Sequence, residues 1–156
     1  MTVATLERVL QDGDRLLPDT TGLIAYLDRR DAITPLAVHV INELVHPGRN
    51  PAVVSMVSVM EVLVRPLRVG ATGPYQHLLD FLTRFPNLTP QPVDLAVAQE
   101  AASLRAAFRL STADALIVAT GIVAQVHHLV TNDVDWVRKL QPISGRIRVC
   151  YLTQHL

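Results

Sequence analysis

Short apolar segments alternate with longer amphipathic ones along the chain. The apolar segments, such as those around Val53 and Leu129, are bounded by polar or turn residues, which is typical of buried strands. Between them, apolar residues recur at intervals of three and four, which indicates helices. The pattern predicts strands at 15–18, 52–56, 128–131 and 146–152, with room for a short one around Leu88, and helices at 4–12, 20–29, 34–45, 58–67, 74–85, 94–108, 111–126 and 136–140.

The alternation of strands and helices predicts the fold class. Strands connected in this way form a mainly parallel sheet covered on both faces, so we expect a three-layer α/β/α domain. A chain of 156 residues suits one domain. We expect residues 1–13 to form an N-terminal extension with a short helix, and residues 14–156 to form the single domain.

Composition narrows the class of protein. Apolar residues make up 49% of the chain and charged residues 18%, which excludes a disordered chain and a coiled coil. The formal net charge is zero, so a nucleic-acid binder that is basic over its whole surface is not expected. A local basic patch is compatible with zero net charge. Cys150 is the single cysteine, which excludes an intramolecular disulfide and a zinc site built from thiolates.

The first residues and the lengths of the apolar runs indicate the cellular compartment in which the protein is expected. The chain begins without a basic segment followed by an apolar one, so no signal peptide is expected. No apolar run approaches the roughly 18 residues of a membrane span. We therefore expect a cytoplasmic protein with no membrane partner.

Acidic residues follow several of the predicted strands or begin the helices after them. The carboxyl ends of parallel strands meet at one edge of a sheet, and ligands bind at this edge where the strand order reverses. We therefore expect the acidic side chains there to lie close together. They are Asp19, Glu61, Asp114, Asp133 and Asp135.

A cluster of this many carboxylates needs positive charge beside it. Two unit charges about 4 Å apart repel each other by about 4 kcal/mol at an effective dielectric of about 20. Oxygen-only ligands select hard cations such as Mg²⁺ or Mn²⁺. An ion of this kind lowers the pKa of a bound water and binds a phosphate oxygen, so the cluster favours phosphoryl chemistry.

Each acid taken alone also has a purely structural interpretation. Ser58-Val59-Met60-Glu61 and Ser111-Thr112-Ala113-Asp114 both match the capping box, in which the serine and the acid satisfy helix N-terminal amides. Asp19 and Asp135 suit helix N-caps, and Asn132-Asp133 suits a turn. The two interpretations are compatible, because a first-turn carboxylate is stabilised there and points past the sheet.

Four segments resemble, in order, the acidic segments of the PIN domain family of metal-dependent ribonucleases, which includes the VapC-type toxins. Two positions differ from the family pattern: Thr21 stands where serine is common, and Asn132 stands where arginine or lysine is frequent. The second difference removes a candidate phosphate contact. The resemblance extends from about residue 15 to 152, and its segments are Asp19-Thr20-Thr21, Ser58 to Glu61, Asp114-Ala115-Leu116-Ile117 and Thr131-Asn132-Asp133-Val134-Asp135-Trp136.

The resemblance implies a PIN-like sheet with strand order 3-2-1-4-5. It implies an endoribonuclease that hydrolyses RNA phosphodiester bonds with Mg²⁺ (or Mn²⁺). For a toxin it also implies a homodimer and a cognate antitoxin that occludes the acidic pocket. The implied catalytic and metal-binding residues are Asp19, Glu61, Asp114 and Asp133, with Asp135 as an optional fifth ligand, and the supporting residues are Thr20 and Thr131.

Arginines are the candidate groups for binding the RNA backbone. Four of the 14 acids lie in the predicted site, which leaves 14 cations against 10 acids in the rest of the chain. A strand-tracking groove would use some of these cations. The candidates are Arg65, Arg68, Arg84, Arg109 and Arg138.

Other classes of protein fit the residues less well. A catalytically silent PIN-like module that binds RNA or protein is the main alternative, but a degenerate site would be expected to lose one of the acids. A phospho-acceptor receiver domain needs a lysine after its last strand, whereas Lys139 precedes it. No Gly-x-Gly-x-x-Gly follows a strand, which argues against a dinucleotide enzyme.

Overall fold

A five-stranded, all-parallel sheet forms the centre of the computed structural model, which describes residues 3–156. The strand order is β3-β2-β1-β4-β5, so the predicted fold class and strand order are confirmed. The order reverses between β1 and β4, which places the switch point between these two strands. The strands are β1 (Leu16–Pro18), β2 (Ala52–Ser55), β3 (Leu88–Gln91), β4 (His128–Thr131) and β5 (Arg148–Tyr151).

Successive residues of each strand point to opposite faces of the sheet and enter two separate cores. On β1, Leu16 lies in one core and Leu17 in the other, and on β4 Val130 and Leu129 divide in the same way. This is the period of two that a strand buried on both faces requires. It explains why the strands appear in the sequence as short, continuous apolar runs.

Helices cover both faces of the sheet. The first core contains residues of α1, α2, α3, α4 and α5, and the second contains residues of α6, α7 and α8. The helices are α1 (Val3–Val9), α2 (Thr20–Leu27), α3 (Thr34–Val38), α4 (Met56–Arg68), α5 (Thr72–Arg84), α6 (Leu95–Ala107), α7 (Thr112–Val123) and α8 (Asp135–Lys139). Short 3₁₀ turns span Gln141–Ile143 and Leu152–His155.

The predicted helix at 34–45 changes its hydrogen bonding part of the way along. After Val38 the backbone continues as a π-helix over His39–Val45. Ile33 is the N-cap of α3, and the hydroxyl of Thr34 donates to the carbonyls of Ala25 and Asp28. Periodicity in the sequence does not separate α-helix from π-helix, since both bury a similar stripe.

The residues before β1 pack against the rest of the molecule. Leu6 on α1 and Leu10 just after it are fully buried, and they share the core that contains Leu16. Glu7 contacts His39 at 2.7 Å, which joins α1 to the π-helix. Within residues 3–156, no helix has both the length and the apolar character needed to cross a bilayer.

Candidate active site

Asp19 lies at the carboxyl end of β1 and is 3% exposed. It is the N-cap of α2, and its Oδ1 accepts hydrogen bonds from the Gly22 amide at 2.8 Å and from the Thr21 hydroxyl at 2.9 Å. Its Oδ2 accepts from the Thr131 hydroxyl at 2.7 Å and from the Trp136 indole at 3.0 Å. Both carboxylate oxygens are therefore held in fixed directions by donors from three elements.

The neighbouring backbone determines where the two threonine hydroxyls direct their protons. The amide of Asn132 donates to the Thr21 hydroxyl, and the amide of Asp133 donates to the Thr131 hydroxyl, each at 2.9 Å. Each hydroxyl oxygen thus acts as an acceptor there, and its single proton is directed at Asp19. Through these two threonines, the turn that follows β4 fixes the orientation of the Asp19 carboxylate.

Burial dominates the electrostatics of Asp19. It raises the pKa of this carboxyl above its ordinary value, although the hydrogen bonds from Thr131, Gly22, Thr21 and Trp136 act in the opposite direction. A buried carboxylate that is ionised at neutral pH is costly unless a positive charge stands near it. Asp19 is therefore a group whose charge a bound cation would stabilise.

Gly22 allows α2 to lie directly against β4. A Cβ atom at this position would stand 2.8 Å from the Val130 carbonyl oxygen and 3.4 Å from Oδ1 of Asp19. Any side chain there would push the first turn of α2 away from the sheet. The glycine is therefore part of what holds Asp19 in its place.

Glu61 lies on α4 and accepts a hydrogen bond from the Thr20 hydroxyl at 2.7 Å. This contact joins α4 to the residue that follows Asp19. The predicted capping box at Ser58 is wrong, because Ser55 is the N-cap of α4 and accepts from the Val57 amide at 3.1 Å. Ser55 ends β2 in an extended conformation that suits an N-cap. Because α4 begins at Met56, Glu61 lies in its second turn, too far along to accept from the free amides of the first turn.

Asp114 lies in the first turn of α7 and forms an ion pair with Lys139. Ser111 is the N-cap of α7, as predicted, and accepts from the Asp114 amide at 3.1 Å. The Asp114 Oδ2 atom lies 3.0 Å from Nζ of Lys139. Hydrogen bonding to Asp114, followed by the charges of Asp114, Asp133 and Asp135, raises the pKa of the Lys139 ammonium.

Asp133 and Asp135 lie in and after the turn that follows β4. Asp133 is half-buried, and its Oδ1 accepts from the Asp135 amide at 2.9 Å. Asp135 is exposed and is the first residue of α8, whose N-cap is Val134. The predicted N-cap at Asp135 is wrong, because the helix begins at Asp135 itself. The backbone amide of Asp135 donates to Asp133.

The donor chemistry of the site fits a hard divalent cation. Asp19, Glu61, Asp114 and Asp133 offer only carboxylate oxygens, and within residues 3–156 no cationic side chain forms an ion pair with the buried Asp19. In the conformation of residues 3–156 described here, no three Asp, Glu, His or Cys side chains form a ready-made metal-binding group. The site is therefore defined by its chemistry and by the hydrogen bonds that position it, and not by a closed cage.

Of the predicted arginines, Arg65 and Arg138 lie near acidic residues of the site, Arg138 beside Asp135, whereas Arg84 ends α5 just before β3, at the opposite edge of the sheet. Arg65 lines a groove of about 610 Å³ between α2, α4 and α5, together with Glu61, and we call this the Glu61 groove. Its wall is largely apolar and includes Ile24, Leu27, Pro66 and Leu78. Arg68, Arg84, Arg109 and Arg138 are exposed.

From the sequence alone, Gly22 and Lys139 have no predicted role in the site, and Thr21 and Trp136 belong to the family segments without a predicted contact to Asp19. Thr21 has a weak local signal for that contact, since a hydroxyl two residues after an N-cap aspartate can reach its carboxylate. The contacts of Trp136 and Lys139 have no local signal. Trp136 is 117 positions from Asp19, and Lys139 is 25 positions from Asp114.

Fold and site together define an α/β domain with a buried, hydrogen-bonded aspartate at the switch point of its parallel sheet. Comparison with protein families places it more narrowly. A family model described as "PIN domain" matches residues 16–140, which is most of the chain. The chain belongs to the PIN domain family, as its four acidic segments predicted.

Solved structures with the same fold include toxins and toxin–antitoxin complexes. VapBC2 from Rickettsia felis, bound to a DNA fragment from its promoter, is 17% identical over 88% of this chain and 98% of that one, with a TM-score of 0.66. FitAcB from Neisseria gonorrhoeae is 19% identical over 90% and 99%, with a TM-score of 0.65. VapC20 from Mycobacterium tuberculosis, a sarcin–ricin loop cleaving toxin, is 15% identical over 78% and 92%, with a TM-score of 0.59. No curated protein matches the chain.

Proposed function

We propose that the protein is a divalent-metal-dependent endoribonuclease and the toxin of a toxin–antitoxin pair. The observation that carries the proposal is the buried Asp19 carboxylate, which four donors orient at the switch point of the sheet. An N-cap needs only one acceptor for the helix amides, whereas Asp19 is buried so deeply that its charge stays disfavoured despite four donors. Membership of the PIN domain family supports the same activity.

The acidic residues would hold Mg²⁺ or Mn²⁺, with Asp19, Glu61, Asp114 and Asp133 as ligands and Asp135 at the rim. The ion would supply a bound water of lowered pKa and would stabilise negative charge on the phosphate. Thr21, Thr131 and Trp136 fix the oxygens of Asp19, and Thr20 fixes one oxygen of Glu61. These donors keep the carboxylates in one arrangement, so little reorganisation is needed when the substrate binds.

The RNA backbone would be bound by exposed cations around the acidic cluster. Arg65, Arg68, Arg109 and Arg138 are the candidates, because their guanidinium groups form paired hydrogen bonds with phosphate oxygens. Arg65 and Glu61 lie in the same groove, so a strand that reaches Glu61 also passes Arg65. The proposed site of action is the cytoplasm, where cellular RNA is available.

The proposed protein partners are a cognate antitoxin and a second copy of the chain. VapBC2, FitAcB and a Klebsiella pneumoniae toxin–antitoxin complex share the fold. The Glu61 groove is apolar along most of its wall and has charges of both signs at Asp28, Arg30, Glu61 and Arg65, and it is the surface we assign to an antitoxin segment. A segment bound there would cover Glu61 and inhibit cleavage.

The test is cleavage of total cellular RNA by the purified protein with Mg²⁺, with Mn²⁺ and with EDTA. We expect cleavage that needs the metal and falls by about 100-fold or more in Asp19→Asn. Asp94→Asn is a matched control, because Asp94 is also a helix N-cap and accepts from the Val97 amide at 3.0 Å. It should retain wild-type cleavage.

Two outcomes would count against the proposal. Cleavage that persists in EDTA, or that survives Asp19→Asn in a folded protein, would place the activity elsewhere or in a contaminant. No cleavage under any metal, with Mn²⁺ still bound by the protein, would favour the catalytically silent binding module. Circular dichroism of each variant establishes that the substitution has left the fold intact.

A further inference from the structure

The single lysine of the chain, Lys139, lies beside Asp114 and within reach of the charges of Asp133 and Asp135. Nζ of Lys139 is 3.0 Å from Oδ2 of Asp114, and the two side chains are only 28% and 23% exposed. Its neighbour Arg138 is the opposite case, because its side chain is 81% exposed and lies 3.8 Å from Asp135. Lys139 is thus hydrogen-bonded to one of the four proposed metal ligands, whereas Arg138 lies beside Asp135 at the rim of the site.

Trp136 holds Lys139 in this position. The two residues are three apart on α8, so they share one face of the helix. The Lys139 ammonium lies 5.3 Å from the centroid of the Trp136 ring, within the range of a cation–π contact. Trp136 itself is buried and donates to Asp19. One short helix thus places an indole N–H on Asp19 and an ammonium on Asp114.

An ammonium and a divalent cation compete for the same carboxylate oxygen. The ammonium neutralises one charge of the cluster and has three hydrogen-bond donors. Mg²⁺ and Mn²⁺ carry two charges and bind carboxylate oxygens directly. The four-carbon stem of lysine is flexible, so the ammonium can leave Asp114 without a movement of α8.

We infer that Lys139 is the resident cation of the acidic site: it pairs with Asp114 in the metal-free protein and is displaced when the divalent ion binds. In this role Lys139 is a positioning residue that acts through Asp114. It lowers the affinity of the site for metal and stabilises the metal-free fold. This inference rests on the proposed function, since it assigns Asp114 to the metal.

The test is titration of the RNA-free protein with Mn²⁺ by calorimetry. Lys139→Met keeps an unbranched stem against Trp136 and removes the charge, and Lys139→Gln is a second neutral variant. We expect both to bind Mn²⁺ about five-fold more tightly than the wild type. Both should also show a lower Tm without metal and a larger rise in Tm when Mn²⁺ is added.

Two further variants separate pairing with Asp114 from a general charge effect. Arg146→Met removes a half-exposed cation that pairs with Glu100, outside the site, and should leave the Mn²⁺ affinity within about two-fold of wild type, because exposed charges are screened. In an Asp114→Asn background, Lys139→Met should no longer tighten Mn²⁺ binding. This double-mutant cycle isolates the contact between the two side chains.

The outcomes distinguish this inference from the proposed function. If the wild type binds Mn²⁺ and Asp114→Asn weakens the binding, but neither neutral variant at position 139 tightens it, the role of Lys139 is overturned and the metal site stands. An equal effect of Lys139→Met with and without Asp114 would also overturn it. If none of the proteins binds Mn²⁺, the metal site itself fails, and the role of Lys139 fails with it.

Discussion

The two edges of the sheet use charged and polar side chains in opposite ways. At the amino edge, just before the strands, Asp14 lies 2.9 Å from Nε2 of His128. The fully buried Asn50 donates to the carbonyls of Gln11, at 2.6 Å, and Asp14, at 3.0 Å. At the carboxyl edge, the donors gather around Asp19, Glu61 and Asp114, whose oxygens face the proposed metal and substrate.

Burial therefore has different consequences at the two edges. At the amino edge it lowers the pKa of the His128 imidazole, with Asp14 acting in the opposite direction, so the neutral form is favoured. At the carboxyl edge it raises the pKa of Asp19, whose charge the proposed activity needs. Polar groups at the amino edge therefore stabilise the loops before the strands. At the carboxyl edge, the burial of Asp19 lowers the stability of the fold, and the proposed activity gives a reason for that cost.

The largest effect is expected at the amino edge, from Asn50→Ala. The substitution leaves two buried carbonyls without a donor and opens a small cavity, which costs about 3 kcal/mol of unfolding free energy. Urea denaturation measures the change. Gln76→Ala, which removes an exposed amide on α5, should change it by less than about 0.5 kcal/mol. A comparable loss in both variants would contradict the special role of Asn50.

At the carboxyl edge, Trp136→Phe removes one hydrogen bond to Asp19 and keeps most of the ring. We expect kcat/KM for RNA cleavage to fall by about 10- to 100-fold, because ligand orientation depends on such contacts. The unfolding free energy should fall by only about 1–2 kcal/mol. If the loss of stability is large and cleavage by the folded fraction is normal, Trp136 belongs to the core and not to the site.

Thr20→Val tests whether Glu61 needs its hydroxyl partner. Valine has the shape of threonine without the donor, so we expect cleavage to fall by about ten-fold, with little change in Tm. Thr20→Ser keeps the hydroxyl and should restore most of the activity. Steady-state cleavage of a fluorogenic RNA measures both variants. Equal activity of the valine and serine variants would show that the contact with Glu61 does not matter.

The smallest effect is the pH dependence of stability at the amino edge. Because burial holds the pKa of His128 below 6.5, the unfolded chain binds a proton near pH 6.5 that the folded chain does not. Stability is therefore fully present above pH 6.5 and falls as the pH decreases, by about 1 kcal/mol for this group between pH 7.5 and 5.5. Urea denaturation across that range measures the slope.

His128→Gln is the control for that pH dependence. It keeps a donor toward Asp14 and does not titrate, so the slope should become shallower. Burial also lowers the pKa of His155, so part of the slope should remain in the variant. A slope that is unchanged in His128→Gln would assign the whole effect to other groups.

Much of the fold could be predicted from the sequence, because the strands are buried on both faces. Burial on two faces produces short continuous apolar runs, and β4 was predicted with its observed ends at His128 and Thr131. The position of Asp19 directly after β1 followed from the same pattern. The strand order came from the resemblance to the PIN domain family, since periodicity contains no information about which strands are neighbours.

Some helix N-caps could be predicted from the sequence and others could not. Ser111 and Asp19 are N-caps that the sequence predicts. The prediction at Ser58 is wrong, because Ser55 is the N-cap of α4. The position of this N-cap depends on where β2 ends, because an N-cap residue needs an extended backbone that only the end of the strand provides.

The order of elements and the placement of acids after strands are contained in the chain itself, because burial and local hydrogen bonding act between near neighbours. The contacts that turn these acids into a site required the packed molecule. Trp136 meets Asp19 across 117 positions, and Lys139 meets Asp114 across two helices that pack beside the sheet. Hydrogen-bond direction between distant segments depends on how their elements are packed, and no local pattern of residues contains that information.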